Sequence, residues 1–179
     1  LAACSPRVEP IPVAARDQPP AGAAPAGPWK AHGRLAVSWP RHHLEMECYL
    51  RRETGTLRYA LIADGGISLA EGALPRVSPP KVQADIATHI PALERLLAEA
   101  YLIGPPTNSV WAGSIRRQDD QQRIRWYGGD PVLLRWVEGG GWPLEFSDYR
   151  LTHVGLIAHQ VRADGPWGAE LSVRLDRVE

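Results

Sequence analysis

The chain has 179 residues, enough for one domain of about 150 residues with a single hydrophobic core. Its 20 Lys and Arg residues balance 20 Asp and Glu residues, so the formal net charge is zero. Since no basic block is present to bind a phosphate backbone, we expect no nucleic-acid partner. No run of about 18 apolar residues occurs, so we also expect no transmembrane helix.

Residues 1–28 are mostly Ala, Pro and Gly, and the only larger aliphatic residues after Cys4 are Val8, Ile11 and Val13. Such a segment has too little apolar surface to offset the entropy that is lost on ordering. We therefore predict a disordered tether over residues 1–28 and a folded domain over residues 29–179.

The two cysteines lie in different settings. Cys48 is on the apolar face of an alternating segment, which predicts a buried thiol in a strand. Cys4 ends the stretch "LAAC", which resembles the lipobox of bacterial lipoproteins. The resemblance implies that a signal peptidase cuts before Cys4 and that the sulfur of Cys4 carries a diacylglycerol, residues 1–3 being the end of a signal peptide. A single Cys4–Cys48 bridge is the alternative in an oxidising compartment.

An acylated Cys4 would anchor the domain stably, since a triacylated cysteine exceeds the two lipid signals that stable anchoring needs. Ser5, which follows it, is not the aspartate that commonly retains lipoproteins in the inner membrane. We therefore expect a periplasm-facing, lipid-anchored protein of the bacterial outer membrane.

From Trp29 onward, apolar and polar residues alternate as they do in half-buried strands. The first such segment puts alternate residues on one face: Trp29, Ala31, Gly33, Leu35, Val37 and Trp39. The pattern predicts further strands at 42–52, 57–63, 67–74 and 81–90, separated by short turns. These segments form a meander.

One segment has helical spacing. Its apolar residues follow an i, i+3, i+4, i+7, i+8 stripe, formed by Leu93, Leu96, Leu97, Ala100 and Tyr101. Pro91 suits the first turn, and residues 104–106 stop the helix. Strands separated by turn clusters fill the rest of the chain, including one over 109–117. About ten strands and one helix predict a mainly β fold, a curled antiparallel sheet or unclosed β-barrel with a helical lid.

The order of these segments resembles the outer-membrane lipoprotein receptor LolB and its relatives in the LolA/LolB superfamily. The resemblance rests on "WKAHGRLAVSW", "LRYALIADGGISLAEG", the helix, "GGGWPLEFSDYR" and "AELSVRLDRVE". It implies an unclosed β-barrel capped by helices, whose interior receives acyl chains of lipoproteins from a LolA-like periplasmic carrier. We expect a monomer.

The loop after the third strand departs from the receptor. There the receptor carries an exposed leucine that helps to place cargo in the membrane, whereas this chain reads "ADGGISL". Asp64, Gly65 and Gly66 offer no apolar tip, and alternation with Leu69 places Ile67 in the core. The fold is then expected without the insertion activity.

The alternation suggests which residues face the interior but does not show whether that interior is open. The candidate cavity lining combines strand residues with a helical lid: Trp126, Trp142, Leu144 and Phe146, with Leu93, Leu97 and Tyr101. The alternative is a filled core, which large aromatic residues most often form.

Motifs for catalysis are lacking. No Gly-rich phosphate loop, GxSxG, HExxH or CxxC occurs, so we expect no enzyme and no cofactor. His42, His43, Glu45 and Glu47 have the residue types of metal ligands. However, His43, Glu45 and Glu47 share the strand face that opposes the apolar one, so a solvated exterior explains them better. The hypothesis is a lipid-anchored protein that binds acyl chains and acts in lipoprotein localisation. The alternative is a structural or sensor lipoprotein with a filled barrel and no cargo.

Overall fold

The computed structural model describes residues 8–15, 27–103, 110–112, 115–120, 123–139 and 141–179. Within them, twelve strands form a single antiparallel sheet: β1 Trp29–Trp39, β2 His42–Glu53, β3 Thr56–Ala63, β4 Ile67–Leu74, β5 Lys81–Val82, β6 Val110–Ala112, β7 Ile115–Asp120, β8 Arg123–Gly128, β9 Leu133–Glu138, β10 Leu144–Thr152, β11 Gly155–Asp164 and β12 Glu170–Val178. The helix α1 spans Ile90–Tyr101, and short 3₁₀ helices span Val13–Ala15, Ala84–His89 and Pro166–Gly168.

The strand order is β5-β4-β3-β2-β1-β12-β11-β10-β9-β8-β7-β6, so β5 and β6 are the two edges and the sheet is not closed. One helix contacts strands from both halves of this order, which requires the sheet to curl around it. The predicted mainly β fold with an unclosed sheet is confirmed. The strand count exceeds the predicted ten partly because the strand predicted over 109–117 is divided between β6 and β7.

The two ends of the sheet are named here after the first and last residues of β1. Because neighbouring strands are antiparallel, the Trp29 end carries the turns after β2, β4, β8 and β10, and the Trp39 end carries those after β1, β3, β9 and β11. Helix α1 runs from one end to the other. The ring of His89, just before the helix, lies 5.0 Å from that of Trp39, and the ring of Tyr101 lies 5.7 Å from that of Trp29.

The core lies on the concave face of the sheet. Cross-strand pairing aligns one buried row over five strands: Met46, Leu35, Val173, Val161 and Phe146. Burying such rows against α1 is the main favourable contribution to folding, at roughly 1.5 to 3 kcal/mol for each large side chain.

The strand predicted over 81–90 ends at Val82, and the rest of that prediction is wrong. A 3₁₀ helix follows over Ala84–His89, and α1 begins at Ile90. Val82, Ile86 and Ile90 are four residues apart, so the same apolar residues suit a helical face as well as a strand face. Packing of Ile86 and Ile90 in the core decides for the helix.

Residues 8–15, which we call the strap, pack on the domain and correct the predicted tether for that stretch. Ile11 and Ala15 are buried in the core, and the Gly129 N–H donates to the Glu9 carbonyl oxygen at 3.1 Å. A segment with so few apolar side chains cannot fold alone, but it can dock on a core that is already formed. The domain boundary at residue 28 stays a prediction.

Two further predictions lie outside the described residues: the acylation of Cys4 and the helix stop at residues 104–106. No helix of the described chain is both long and apolar enough to cross a bilayer.

Candidate functional site

The central stripe of α1 that faces the sheet is apolar. Leu93, Leu96, Leu97, Ala100 and Tyr101 are each at most 1 % exposed, which confirms the predicted stripe. Pro91 is in the first turn, as predicted. The helix thus occupies the concave interior of the open sheet.

Tyr101 ties the last turn of α1 to the Trp29 end. Its hydroxyl donates to the carbonyl oxygen of Ala158 on β11 at 3.1 Å, and its ring meets Trp29 edge to face. Arg52 donates from Nη1 to the Tyr101 carbonyl oxygen at 2.9 Å. Burial raises the pKa of Tyr101 well above its usual range, so the hydroxyl stays a donor.

Glu94 joins α1 to the β3–β4 half of the sheet. The Tyr59 hydroxyl donates to Glu94 Oε1 at 2.9 Å, and Arg76 pairs with Oε2. Gly72, opposite Tyr59 on β4, leaves space for the ring, since a Cβ there would lie 2.5 Å from the Tyr59 hydroxyl oxygen. Burial first, and then the bond to Glu94, raise the pKa of Tyr59.

Glu99 joins α1 to the β8 half. Arg125 donates from Nε and Nη2 to Glu99 Oε2 at 3.1 and 3.0 Å, and Arg123 pairs with Oε1. The Glu99 side chain is fully buried. Charge-assisted hydrogen bonds from two nitrogens of one guanidinium compensate the charge of a buried carboxylate. Together, Glu94 and Glu99 hold the helix against both halves of the sheet.

Five of the seven candidate lining residues lie in the interior: Leu93, Leu97, Tyr101, Leu144 and Phe146. Trp142 lies at its edge, partly buried and packed against the core and against Gly165, where a Cβ would meet the indole at 2.6 Å. Whether these residues contact a ligand stays a prediction.

The prediction that Trp126 faces the interior is wrong. It pairs across strands with Arg117 and Trp136, and Trp136 pairs with the exposed Glu145, so these four share the outer face. The Arg117 guanidinium lies 5.6 Å from the Trp126 ring. Arg125 takes the inward position instead because its charge is matched by Glu99.

Sequence reasoning missed the buried ionic groups of the site. Glu94 and Glu99 are both buried in α1, and Arg125 is buried on β8. The available signal was weak: Glu94 directly follows the stripe residue Leu93, and Arg125 alternates with Tyr127. A buried charge is identified only by its partner, and these partners are 18 to 35 residues apart.

The other residues that could carry chemistry are the histidines and glutamates of β2 and the thiol of Cys48. His42, His43, Glu45 and Glu47 are exposed, as predicted, and the described residues contain no group of three or more His, Cys, Asp or Glu that could hold a metal. Cys48 is a free, buried thiol, as predicted, and burial raises its pKa to about 12.

Ile67, after the turn that follows β3, is predicted to lie in the core, but it is 56 % exposed. Ile67 pairs with Ala63 in the last pair before the turn, where its side chain extends beyond the core. Gly65 and Gly66 have positive φ, 84° and 81°, as a tight turn requires. The loop therefore does have an apolar tip.

The fold aligns with solved structures at low sequence identity. A domain assigned to outer membrane lipoprotein sorting from Vibrio parahaemolyticus has a TM-score of 0.51 and 10% identity, over 86% of this chain and 85% of that one. A LolA superfamily protein from Nitrosomonas europaea has a TM-score of 0.51 and 7% identity, over 87% and 86%. No protein-family model matches the sequence. No curated protein matches it either. The chain thus has a LolA-like fold, as the sequence resemblance implied.

Proposed function

We propose that this protein is a lipid-anchored envelope protein that binds acyl chains between helix α1 and the concave face of the sheet, in the localisation of lipoproteins. One observation carries the proposal: the apolar face of α1 fills the interior of a sheet whose two edges stay open. An acyl chain enters the same apolar environment when the helix moves away from the sheet. The LolA-like fold supports this use.

The described interior is closely packed, which favours a second candidate, a structural or sensor lipoprotein that carries no cargo. Leu93, Leu97, Leu144 and Phe146 are each at most 2 % exposed. The two candidates differ in whether α1 can leave the sheet.

Ligand binding is tested with two tryptophan variants. Trp142→Ala opens the edge of the interior and should weaken binding of a fluorescent fatty acid at least threefold, whereas Trp126→Ala on the outer face should not change it. Truncating a tryptophan costs roughly 3 to 5 kcal/mol when it is packed on all sides, so a urea melt accompanies each titration. Trp142 is only partly buried, and its loss should cost less than that.

Mass spectrometry of organic extracts from protein purified without detergent completes the test. Bound acyl lipids would support the carrier. A titration without saturable binding, together with extracts free of lipid, would favour the filled structural protein. The anchor is tested separately: Cys4→Ala in the precursor should move the protein from the membrane fraction to the soluble envelope fraction.

A further inference from the structure

The strap places residue 8 at one end of the sheet. Val8 and Glu9 lie against Gly128 and Gly129, where the chain turns after β8 at the Trp29 end. A Cβ at Gly128 would lie 2.5 Å from Val8 Cγ1 and would overlap the Glu9 carbonyl oxygen. The absence of a side chain at this position therefore lets the strap pass close to the backbone.

The docked strap shortens the distance between Cys4 and the domain. Only residues 5–7 separate Cys4 from Val8, so four Cα–Cα steps span at most about 15 Å. An acyl chain on Cys4 would thus bring the Trp29 end to the membrane, whatever the conformation of residues 5–7.

Three cations stand side by side on the outer face of the sheet at this end. Register pairs Lys30 with Arg51 and Arg51 with Arg58, and all three are exposed. Like charges directly opposite each other on a sheet destabilise it unless an anion compensates them. Arg51 has Glu53 at 2.7 Å. Lys30 and Arg58 have no carboxylate at ion-pair distance among the described residues.

A groove of about 350 Å³ lies among these cations. Tyr49 and Ala60 line it together with the three basic residues, and Glu71 is the carboxylate among its lining residues. A shallow groove that joins cations to apolar surface suits a phosphate headgroup and the first carbons of its lipid.

Two large apolar side chains project from the same end. Val77, in the connection after β4, is 91 % exposed, and Leu151, beside the turn after β10, is 80 % exposed. Each is single and solvated in the isolated domain. Beside a bilayer, both are placed to enter its interfacial layer.

The Trp39 end also has exposed apolar residues, Ile67 and Trp167, but its charge differs. Asp164 and Glu170 there both pair with Arg162, the exposed Asp64 lies at the turn after β3, and the exposed Arg41 lies at the turn after β1. An anionic surface is repelled by such carboxylates, so the charges favour the Trp29 end.

We propose that the Trp29 end is a docking surface for a bilayer that contains anionic phospholipid, with Lys30, Arg51 and Arg58 on the phosphate headgroups and Val77 and Leu151 in the interfacial layer. The orientation of the anchor rests on the proposed function. The surface itself does not, because its charges and apolar tips belong to the folded domain.

The test uses the full chain with Cys4→Ser, so that no acyl chain contributes to binding. Vesicles of phosphatidylcholine with about 30% phosphatidylglycerol should sediment the protein, and pure phosphatidylcholine vesicles should not. Each cation near an anionic surface raises the partition coefficient of the protein between vesicles and water roughly fivefold. Lys30→Glu with Arg58→Glu should therefore lower it at least 25-fold, by the same reasoning.

The matched control is Arg41→Glu with Arg174→Glu, which changes the net charge equally away from the Trp29 end. Partitioning by this variant should fall less than threefold. Equal losses in the two variants would show that only net charge matters and would overturn the proposal.

A second pair of variants compares the apolar residues of the two ends. Val77→Ser with Leu151→Ser should lower partitioning about tenfold or more, since two apolar side chains leave the interface. Ile67→Ser with Trp167→Ser should leave it unchanged. The reverse result would place the membrane at the Trp39 end and overturn the proposal. Because neither arm depends on acylation or cargo, the proposed function can fail while this docking surface stands.

Discussion

Helix α1 carries two buried glutamates whose surroundings differ. Glu94 faces the β3–β4 half of the sheet, where one of its partners, the Arg76 side chain, is 49 % exposed. Glu99 faces the β8 half, where the Arg125 side chain is 7 % exposed and the carboxylate has no contact with water. The same residue type on one helix therefore joins a solvated contact on one side and a desolvated contact on the other.

This difference in exposure means that one contact of the helix is stronger and the other opens more easily. Removing one member of a desolvated ion pair leaves a buried charge, which is costly, whereas a half-exposed arginine is rehydrated when its partner leaves. We infer that the Glu99 side fixes α1 to the sheet and that the Glu94 side is the one that opens first. The predictions below test this order.

The largest effect is expected at Glu99. Glu99→Ala should lower the free energy of unfolding by about 3 to 5 kcal/mol, because Arg125 stays buried without its carboxylate. A urea melt measures the change. The double variant Glu99→Leu with Arg125→Met replaces the pair by apolar groups and should recover most of the loss. If the double variant loses as much as the two single variants together, the buried pair is not the cause.

A smaller effect is expected at Glu94. Glu94→Ala should cost about 1 to 3 kcal/mol, mostly because the buried Tyr59 hydroxyl loses its acceptor. The same melt with Arg76→Ala as control should show a much smaller loss than Glu94→Ala, since that pair is half exposed. A loss at Glu94 equal to that at Glu99 would contradict the ranking of the two sides.

Tyr59→Phe tests the hydrogen bond between Tyr59 and Glu94. The variant keeps the ring that fits over Gly72 and removes only the hydroxyl, so a cost of about 0.5 to 1.5 kcal/mol is expected. The cost should disappear in the Glu94→Ala background, which a double-mutant cycle measures. A full cost in that background would show that the hydroxyl acts through another group.

The smallest effect concerns pH at the start of α1. Burial lowers the pKa of His89, which lies against Trp39. The unfolded chain therefore binds a proton more readily than the folded one, and stability should fall as pH drops from about 6.5 towards the lowered pKa. Urea melts between these pH values should show a shallower decline for His89→Gln. An unchanged slope would mean that other groups carry the acid sensitivity.

Local patterns predicted most of the fold. The alternation from Trp29 to Trp39 places the same residues on the buried face of β1, and the helical stripe from Leu93 to Tyr101 is buried as expected. Both patterns are strong because each segment has only one apolar face, and burial of that face outweighs weaker local preferences.

The errors occur where the pattern is ambiguous. Ile67 lies in the last pair before a turn, beyond the core, and Trp126 alternates with Arg125, which is buried only because it meets Glu99. The prediction for the strap is wrong for another reason. The strap has too few apolar residues to fold alone, and the core on which it docks is formed by strands that are distant in the sequence.

The sequence by itself determined most of the strands, the helix and most of their apolar faces, because these depend on the spacing of residues within one segment. Only the tertiary structure decided which charges are buried, where the strap docks and which end of the sheet carries the cation row. Glu99 meets Arg125 across 26 residues, and Lys30 meets Arg51 and Arg58 only through the register of three strands. Such contacts depend on how the sheet curls around α1, and no local spacing encodes that curvature.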